Sequence, residues 1–290
     1  MSHQSITLGD GRTLAWVAFG PVDGRPVLYC HGFPSTGREA AFVEEAAHAT
    51  GARVVAPDRP GYGGSDRATG RTLTGWVDDA EALLDHLGID TAPVIGFSGG
   101  GPYALACAAR RPERFPRVAT LGALDWLAEP HTEAGMSAVS RLSIRLARRL
   151  PPAHAAIFHL LAILIRIAPQ TLFGLLSAGH CPADRAIFSD PHVRSKWTRA
   201  LHDSVMQGAR GAIDELRLYV AERPFPLTDI QAPVDLWHGL DDTVVPPVHG
   251  ERITNALPHC EARFLTGEGH FSTPVKAIGK VLERLLKATP

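Results

Sequence analysis

Val94-Ile95-Gly96-Phe97-Ser98-Gly99-Gly100-Gly101-Pro102 joins a short apolar run to a Gly-rich turn and then to a helical stretch over residues 100–110. Its centre fits the pattern G-x-S-x-G, which carries meaning only where a strand passes into a helix, and the flanking runs predict that context here. A sharp strand-to-helix turn lifts the serine into a cleft and crowds the positions two before and two after it. Gly96 and Gly100 therefore occupy places where side chains would collide. The helix that follows points its first amides at the same spot and favours negative charge there. The segment predicts Ser98 as a nucleophile; the plainer alternative is a serine that only caps a helix.

A serine hydroxyl is a weak nucleophile at neutral pH and needs an adjacent base, itself oriented by a third group. Gly267-Glu-Gly-His270-Phe271 follows an apolar run at 261–265, and Gly239-Leu-Asp-Asp242-Thr-Val-Val-Pro246 follows another at 234–238. His270 is singled out among 14 histidines by its Gly-rich loop just beyond a strand. Asp242 is the favoured acid, in competition with Asp241 and Asp125, since only one carboxylate can accept the His Nδ1 proton. The order Ser98, Asp242, His270 completes a triad pattern. An oxyanion needs two preorganised donors. The amide of Gly99 is one candidate. Phe33 in His31-Gly-Phe-Pro34 is the other, because Pro34 has no N–H and biases Phe33 towards an extended backbone. His31 is expected to brace that loop.

Outward from this centre, β-rich runs at 12–19, 26–30, 53–56, 92–97 and 118–121 alternate with helical stretches at 38–50, 74–87 and 100–110. Trp76, Ala80, Leu83, Leu84 and Leu87 share one helical face that stops at Gly88. Continuous apolar strands separated by helices predict an α/β fold, with a mostly parallel sheet covered on both faces. The rhythm breaks after Leu124: residues 125–225 carry helical patterns only, and 234–238, 246–257, 261–265 and 276–287 resume the alternation. The expected organisation is a core of 1–124 and 226–290, interrupted by an all-helical cap insert at 125–225.

Composition narrows the function. The 290 residues carry 29 basic and 30 acidic side chains, a balance with no long-range field to draw in nucleic acid. The expected partner is a small, mostly neutral molecule. Cys30, Cys107, Cys181 and Cys260 are widely spaced, which suggests neither a zinc site nor a disulfide framework and fits a reducing cytoplasm. The N-terminal residues lack the basic start and apolar run of a secretory signal. The apolar stretch 155–168, interrupted by His159 and Arg166, is shorter than the roughly 20 residues of a membrane span and reads as a buried helix.

Taken together, His31-Gly-Phe-Pro34, Asp58-Arg-Pro-Gly-Tyr-Gly-Gly-Ser-Asp66, the turn at Ser98, Gly239 to Pro246 and Gly269-His270 resemble the α/β-hydrolase superfamily, specifically its members with a helical cap. The likeness runs over residues 12–287. In that superfamily the acid lies three residues after the glycine of the Gly-x-x-Asp turn, which maps onto Asp242. The His-Gly-x-Pro loop is also similar to that of epoxide hydrolases and haloalkane dehalogenases, but those use an aspartate where this chain has Ser98. Proline iminopeptidases carry a tryptophan where this chain has Gly99. Cofactor-free lyases and carbon-carbon bond hydrolases share the triad.

The resemblance implies that residues 125–225 cover the nucleophile and set specificity. Their apolar content, including Ile157, Phe158, Leu161, Ile165, Leu172 and Leu176, offers either ordinary helix packing or a pocket for an acyl or aromatic group. Arg141, Arg145, Arg148 and Arg149 lie opposite Val139, Leu142, Leu146 and Leu150. This is a solvated helix face or, alternatively, one suited to an anionic membrane surface, with no stable insertion. The expectation is a serine esterase working without cofactor or metal through an acyl-enzyme. Carbon-carbon bond cleavage or a lyase reaction is the runner-up, and a receptor-like protein with vestigial activity is a third class.

Overall fold

Short runs of apolar residues that can be buried on both faces become the inner strands of one sheet, and their polar neighbours become its edges. The computed structural model describes residues 3–128 and 132–287. The expected core and insert also contain residues 1–2, 129–131 and 288–290, which lie outside the described residues. The strands are β1 Gln4–Thr7, β2 Thr13–Phe19, β3 Arg25–Cys30, β4 Ala52–Pro57, β5 Val94–Phe97, β6 Val118–Leu121, β7 Val234–Gly239 and β8 Cys260–Leu265. They form a single eight-stranded sheet in the order β1-β2-β4-β3-β5-β6-β7-β8. β5, β6 and β7 are buried along their whole length, as expected of inner parallel strands. β2 pairs antiparallel with both β1 and β4 at one end, and the pairs from β4 on to β8 are parallel.

The chain runs from β3 to β4 on one side and returns to β5 on the other side of β3. Loops leaving β3 and β5 therefore diverge and leave a crevice at the carboxyl ends of the strands. Helices α1 Glu44–Thr50, α2 Gly75–His86 and α3 Gly101–Arg110 alternate with these strands. After β6 come α4 Ala138–Arg149, α5 Pro151–Ile167, α6 Pro169–Ser177, α7 Pro182–Ser189, α8 Pro191–Ser204 and α9 Arg210–Val220, and α10 Pro247–Ala256 and α11 Ser272–Lys287 complete the chain. Side chains of α2 and α3 pack in the cluster on one face of the sheet, those of α1 and α11 in the cluster on the other. Proline opens each of α5 to α8, where a missing N–H leaves no helical bond unmade.

Three expectations change. Residues 38–50 are not one helix: Gly37–Val43 is a 3-10 segment and only Glu44–Thr50 is α-helical. The polar edge strand β1 had no hydrophobic alternation to announce it. Residues 155–168 are helical but not buried. In α5 only His154, Ala162 and Ile165 are buried, while Ile163 and Ile167 are 53% and 76% exposed. The helix packs along one stripe, and no described element covers its other side.

The helical insert is tied to the core by a fully buried ion pair. Arg59, after β4, donates from Nε to Glu215 Oε1 of α9 at 2.6 Å and from Nη2 to Oε2 at 3.0 Å. Tyr62 adds a hydroxyl to Oε2 at 2.7 Å. Burial would raise the Glu215 carboxyl, but Arg59 and Arg71 outweigh it and hold its pKa at about 2. A carboxyl depressed in the fold stabilises it above the ordinary value near 4.5, and that contribution is lost as pH falls towards about 2. Glu215→Ala leaves Arg59 charged and unpaired, so urea unfolding at pH 7 should show a loss of about 3–5 kcal/mol. The gap between variant and parent should narrow as the pH is lowered below 4.

Candidate active site

The turn after β5 is strained at one residue. Ser98 has φ 53, the only non-glycine positive φ among the described residues. Left-handed backbone costs a side chain energy and persists only where the surroundings enforce it. Here they do. A Cβ on Gly96 would lie 2.6 Å from the Gly100 carbonyl oxygen, and one on Gly100 would overlap the Cys30 carbonyl. The residues that cap this turn and α3 are Phe97 and Gly100, and Ser98 Oγ is bonded to His270 instead.

Three residues of the sequence pattern meet at this point. Ser98 Oγ lies 2.9 Å from His270 Nε2, and His270 Nδ1 lies 2.7 Å from Asp242 Oδ2. All three are buried. They follow the carboxyl ends of β5, β7 and β8, which the parallel sheet sets on the same edge, with β6 between β5 and β7. Asp242 is aimed by its other oxygen, which accepts the amides of Val244 at 2.9 Å and Val245 at 2.8 Å. The competing acids are placed elsewhere. Asp241 is exposed, and Asp125 is bound to Arg223 and Arg252 at 3.0 Å each. Burial pulls the His270 pKa down, but the charge and hydrogen bond of Asp242 outweigh it and hold the imidazole above its ordinary 6.5.

The donors expected for an oxyanion border the same space. Phe33 lies outside any helix or strand, and its amide has no protein acceptor among the described residues. Gly99 sits in the first turn after the strand, where amides lack intrahelical acceptors. Its carbonyl accepts the Tyr219 hydroxyl at 2.7 Å. His31 braces the loop as expected: Nδ1 bonds the Gly32 carbonyl at 2.9 Å, and Nε2 accepts the Arg59 amide at 3.1 Å. Burial first and Arg59 second keep its pKa well below 6.5, so the ring is neutral. Arg59 also donates to the carbonyls of His31 and Gly32, so the ion pair with Glu215 supports this loop directly.

One residue was not foreseen. Asp184 of α7 is fully buried against the amino end of α11. Its Oδ2 accepts the His270 amide at 2.9 Å, and its Oδ1 accepts those of Phe271 at 2.9 Å and Ser272 at 2.8 Å. A helix start offers free amides and a positive end, and a carboxylate satisfies both. An aspartate in a helical insert, 86 residues from His270, carries no sequence signal of this role.

Ser98 opens into a cavity of about 400 Å³ between the sheet and the insert. Phe33, Gly99 and Tyr219 line its inner end, and Ile157, Leu161 and Leu172 line the insert side. Among the described residues, no Asp, Glu, Lys or Arg lines it. His154, the histidine that lines it among the described residues, is kept below the usual value by burial and by Arg217, and so is neutral at pH 7. A larger depression of about 520 Å³ near Arg12 contains none of the residues above. Its Arg12 and Asp79 satisfy each other at 2.7 and 2.9 Å. Among the described residues, no group of three or more His, Cys, Asp or Glu is arranged to hold a metal.

A serine in a strained turn at the end of a central strand, with a histidine and an acid from later strands, defines the class of α/β hydrolases. The chain belongs to the alpha/beta hydrolase fold family, whose sequence profile matches residues 25–277. It is 32% identical over 176 residues to an uncharacterized hydrolase of Bacillus subtilis, covering 60% of this chain and 58% of that one. To a non-heme chloroperoxidase of Streptomyces lividans it is 28% identical over 271 residues, covering 88% and 92%. An alpha/beta hydrolase fold protein from Nakamurella multipartita superposes with a TM-score of 0.72 at 22% identity, over 99% of both chains.

Two measurements probe the geometry. Because His270 must be neutral to accept a proton, kcat/KM should fall as pH drops through an ionisation above 6.5. Asp242→Asn should lower kcat by up to about 10⁴-fold, whereas Asp241→Asn should stay within about twofold. Asp184→Asn replaces an acceptor with a donor beside the amides around His270. Its kcat should fall roughly tenfold with the acid limb displaced to lower pH, since the Asp184 charge also favours protonated His270.

Proposed function

We propose that this protein is a serine hydrolase that cleaves a small, largely apolar carboxylic ester through an acyl-enzyme. The observation that carries this reading is the unbroken chain Asp242–His270–Ser98 at the inner end of a cavity that no charged side chain lines among the described residues. Ser98 Oγ attacks the ester carbonyl carbon while His270 Nε2 takes its proton. The carbonyl oxygen becomes an oxyanion held by the amides of Phe33 and Gly99. Asp242 holds Nδ1–H and stabilises the imidazolium. His270 then returns the proton to the leaving alkoxide as the C–O bond breaks, which frees an alcohol and leaves the acyl group on Ser98. Water enters, His270 removes its proton, and the second tetrahedral intermediate collapses to the acid and free Ser98.

Residues 125–225 act in this reading as a cap over a core of 1–124 and 226–290, and the cavity between them receives the acyl group. Four unpaired cysteines are in keeping with work in a reducing cytoplasm. Carbon-carbon bond cleavage would use the same triad; a negatively charged substrate of that kind would meet no cation among the described residues that line the cavity.

A fluorophosphonate probe should label the wild type and spare Ser98→Ala; labelling of both would remove Ser98 as the nucleophile. Across p-nitrophenyl esters, kcat/KM should rise with acyl length until the cavity is full, by at most about fourfold per methylene, the equivalent of ~0.8 kcal/mol. Probe labelling without turnover of any ester would overturn the ester reading and favour carbon-carbon cleavage.

A further inference from the structure

Monomeric proteins seldom leave a large apolar patch in water unless it meets something. The outer side of α4, α5 and α6 is such a patch. Leu160, Ile163, Leu164 and Ile167 follow one another along the outer stripe of α5 at exposures of 41–76%, and Leu175 on α6 is 70% exposed. The charge around them is one-sided. Residues 134–183 contain five arginines and not one aspartate or glutamate, although the whole chain is balanced at 29 basic to 30 acidic. Arg145 and Arg148 reach Glu133, whereas Arg149 and Arg166 form no ion pair among the described residues.

An apolar face bordered by unpaired arginines is complementary to a surface that is oily below and negative above, which is an anionic lipid layer. A second copy of this chain is a poor occupant, because a two-fold contact would set the exposed, unpaired Arg149 and Arg166 of one face against those of the other. The helices do not cross the layer. Among the described residues no single helix is long and apolar enough to span a membrane, and α5 and α6 bend by 116° at their junction. They are shaped to lie in the interface.

The same face leads to the nucleophile. Val139, Leu142, Ile157 and Leu176 are each more than 40% exposed and also line the cavity that ends at Ser98. Apolar side chains thus form an unbroken path from the surface to the seat of chemistry.

We propose that the α4–α6 face seats the protein on an anionic lipid surface, and that the cavity draws a long-chain acyl ester from that surface. The second half rests on the ester-hydrolase reading; the first does not. Co-sedimentation should be measured with vesicles of phosphatidylcholine alone and of phosphatidylcholine with phosphatidylglycerol in equal parts. Wild type should bind the mixed vesicles at least tenfold more tightly than the neutral ones, and salt should erase the difference. Arg149→Glu with Arg166→Glu should lose that preference, at roughly fivefold or more per residue. Ile163→Glu with Ile167→Glu should lose binding to both. Neither pair lines the cavity, so both variants should keep wild-type kcat/KM on a water-soluble short-chain ester, which also reports correct folding. On a long-chain ester carried in the mixed vesicles, both should turn over at least tenfold more slowly than wild type. Absence of wild-type binding to the mixed vesicles at low salt overturns docking, as does wild-type binding by the Ile163→Glu, Ile167→Glu variant. A concentration-dependent dimer that protects α5 from hydrogen exchange would assign the face to a second copy instead. Vesicle binding with no ester turned over would leave docking standing and remove the ester reading.

Discussion

A guanidinium without access to water must be matched by a carboxylate, and in this protein that requirement joins the two halves of the chain. Arg59 follows a core strand, Glu215 belongs to the insert, and both are fully buried. Desolvating two charges is costly, so the pair adds little net stability relative to an apolar replacement. Breaking it is another matter, since either partner alone would be an uncompensated charge in the interior. The pair therefore specifies position: α9 can seat only where Glu215 meets Arg59, and that seating brings the Tyr219 hydroxyl onto the Gly99 carbonyl. The remaining donors of Arg59 close on the His31 and Gly32 carbonyls, so the loop carrying Phe33 inherits the same rigidity.

The insert supports the chemistry from a second side. Asp184 gathers three consecutive amides at the start of α11 and so sets where His270 stands relative to Ser98. Strain at Ser98, the orientation of His270 and the shape of the loop at Phe33 are each maintained by groups that take no direct part in bond making. A site of this kind is preorganised, which is where electrostatic stabilisation of a developing oxyanion gains most. It also explains why a helical insert that contributes no triad member cannot be regarded as a detachable lid.

Apolar surface is distributed on the insert in two ways with different consequences. The stripe of α5 at His154, Ala162 and Ile165 packs inward and helps to shape the cavity, which no charged side chain lines among the described residues. The opposite stripe is left in water, a cost that packing alone would have removed by burial or by polar substitution. The two stripes part at the cavity: Ile157, Leu161 and Ile165 line it, whereas Leu160, Ile163, Leu164 and Ile167 do not.

The candidate triad and its turn were legible in the sequence because their causes are local. Glycine at 96 and 100 answers a steric demand within one turn, and the order Ser98, Asp242, His270 reflects residues placed at successive strand ends. The alternation of apolar runs with helical stretches carried the parallel sheet for the same reason, while β1, short and polar at an edge, offered no such periodicity. What only the tertiary structure decided lies in contacts between distant segments. The contacts of Asp184 and Glu215 and the exposure of a helix that reads as buried all depend on which surfaces meet. An apolar pattern states that a face avoids water; it does not state what covers it.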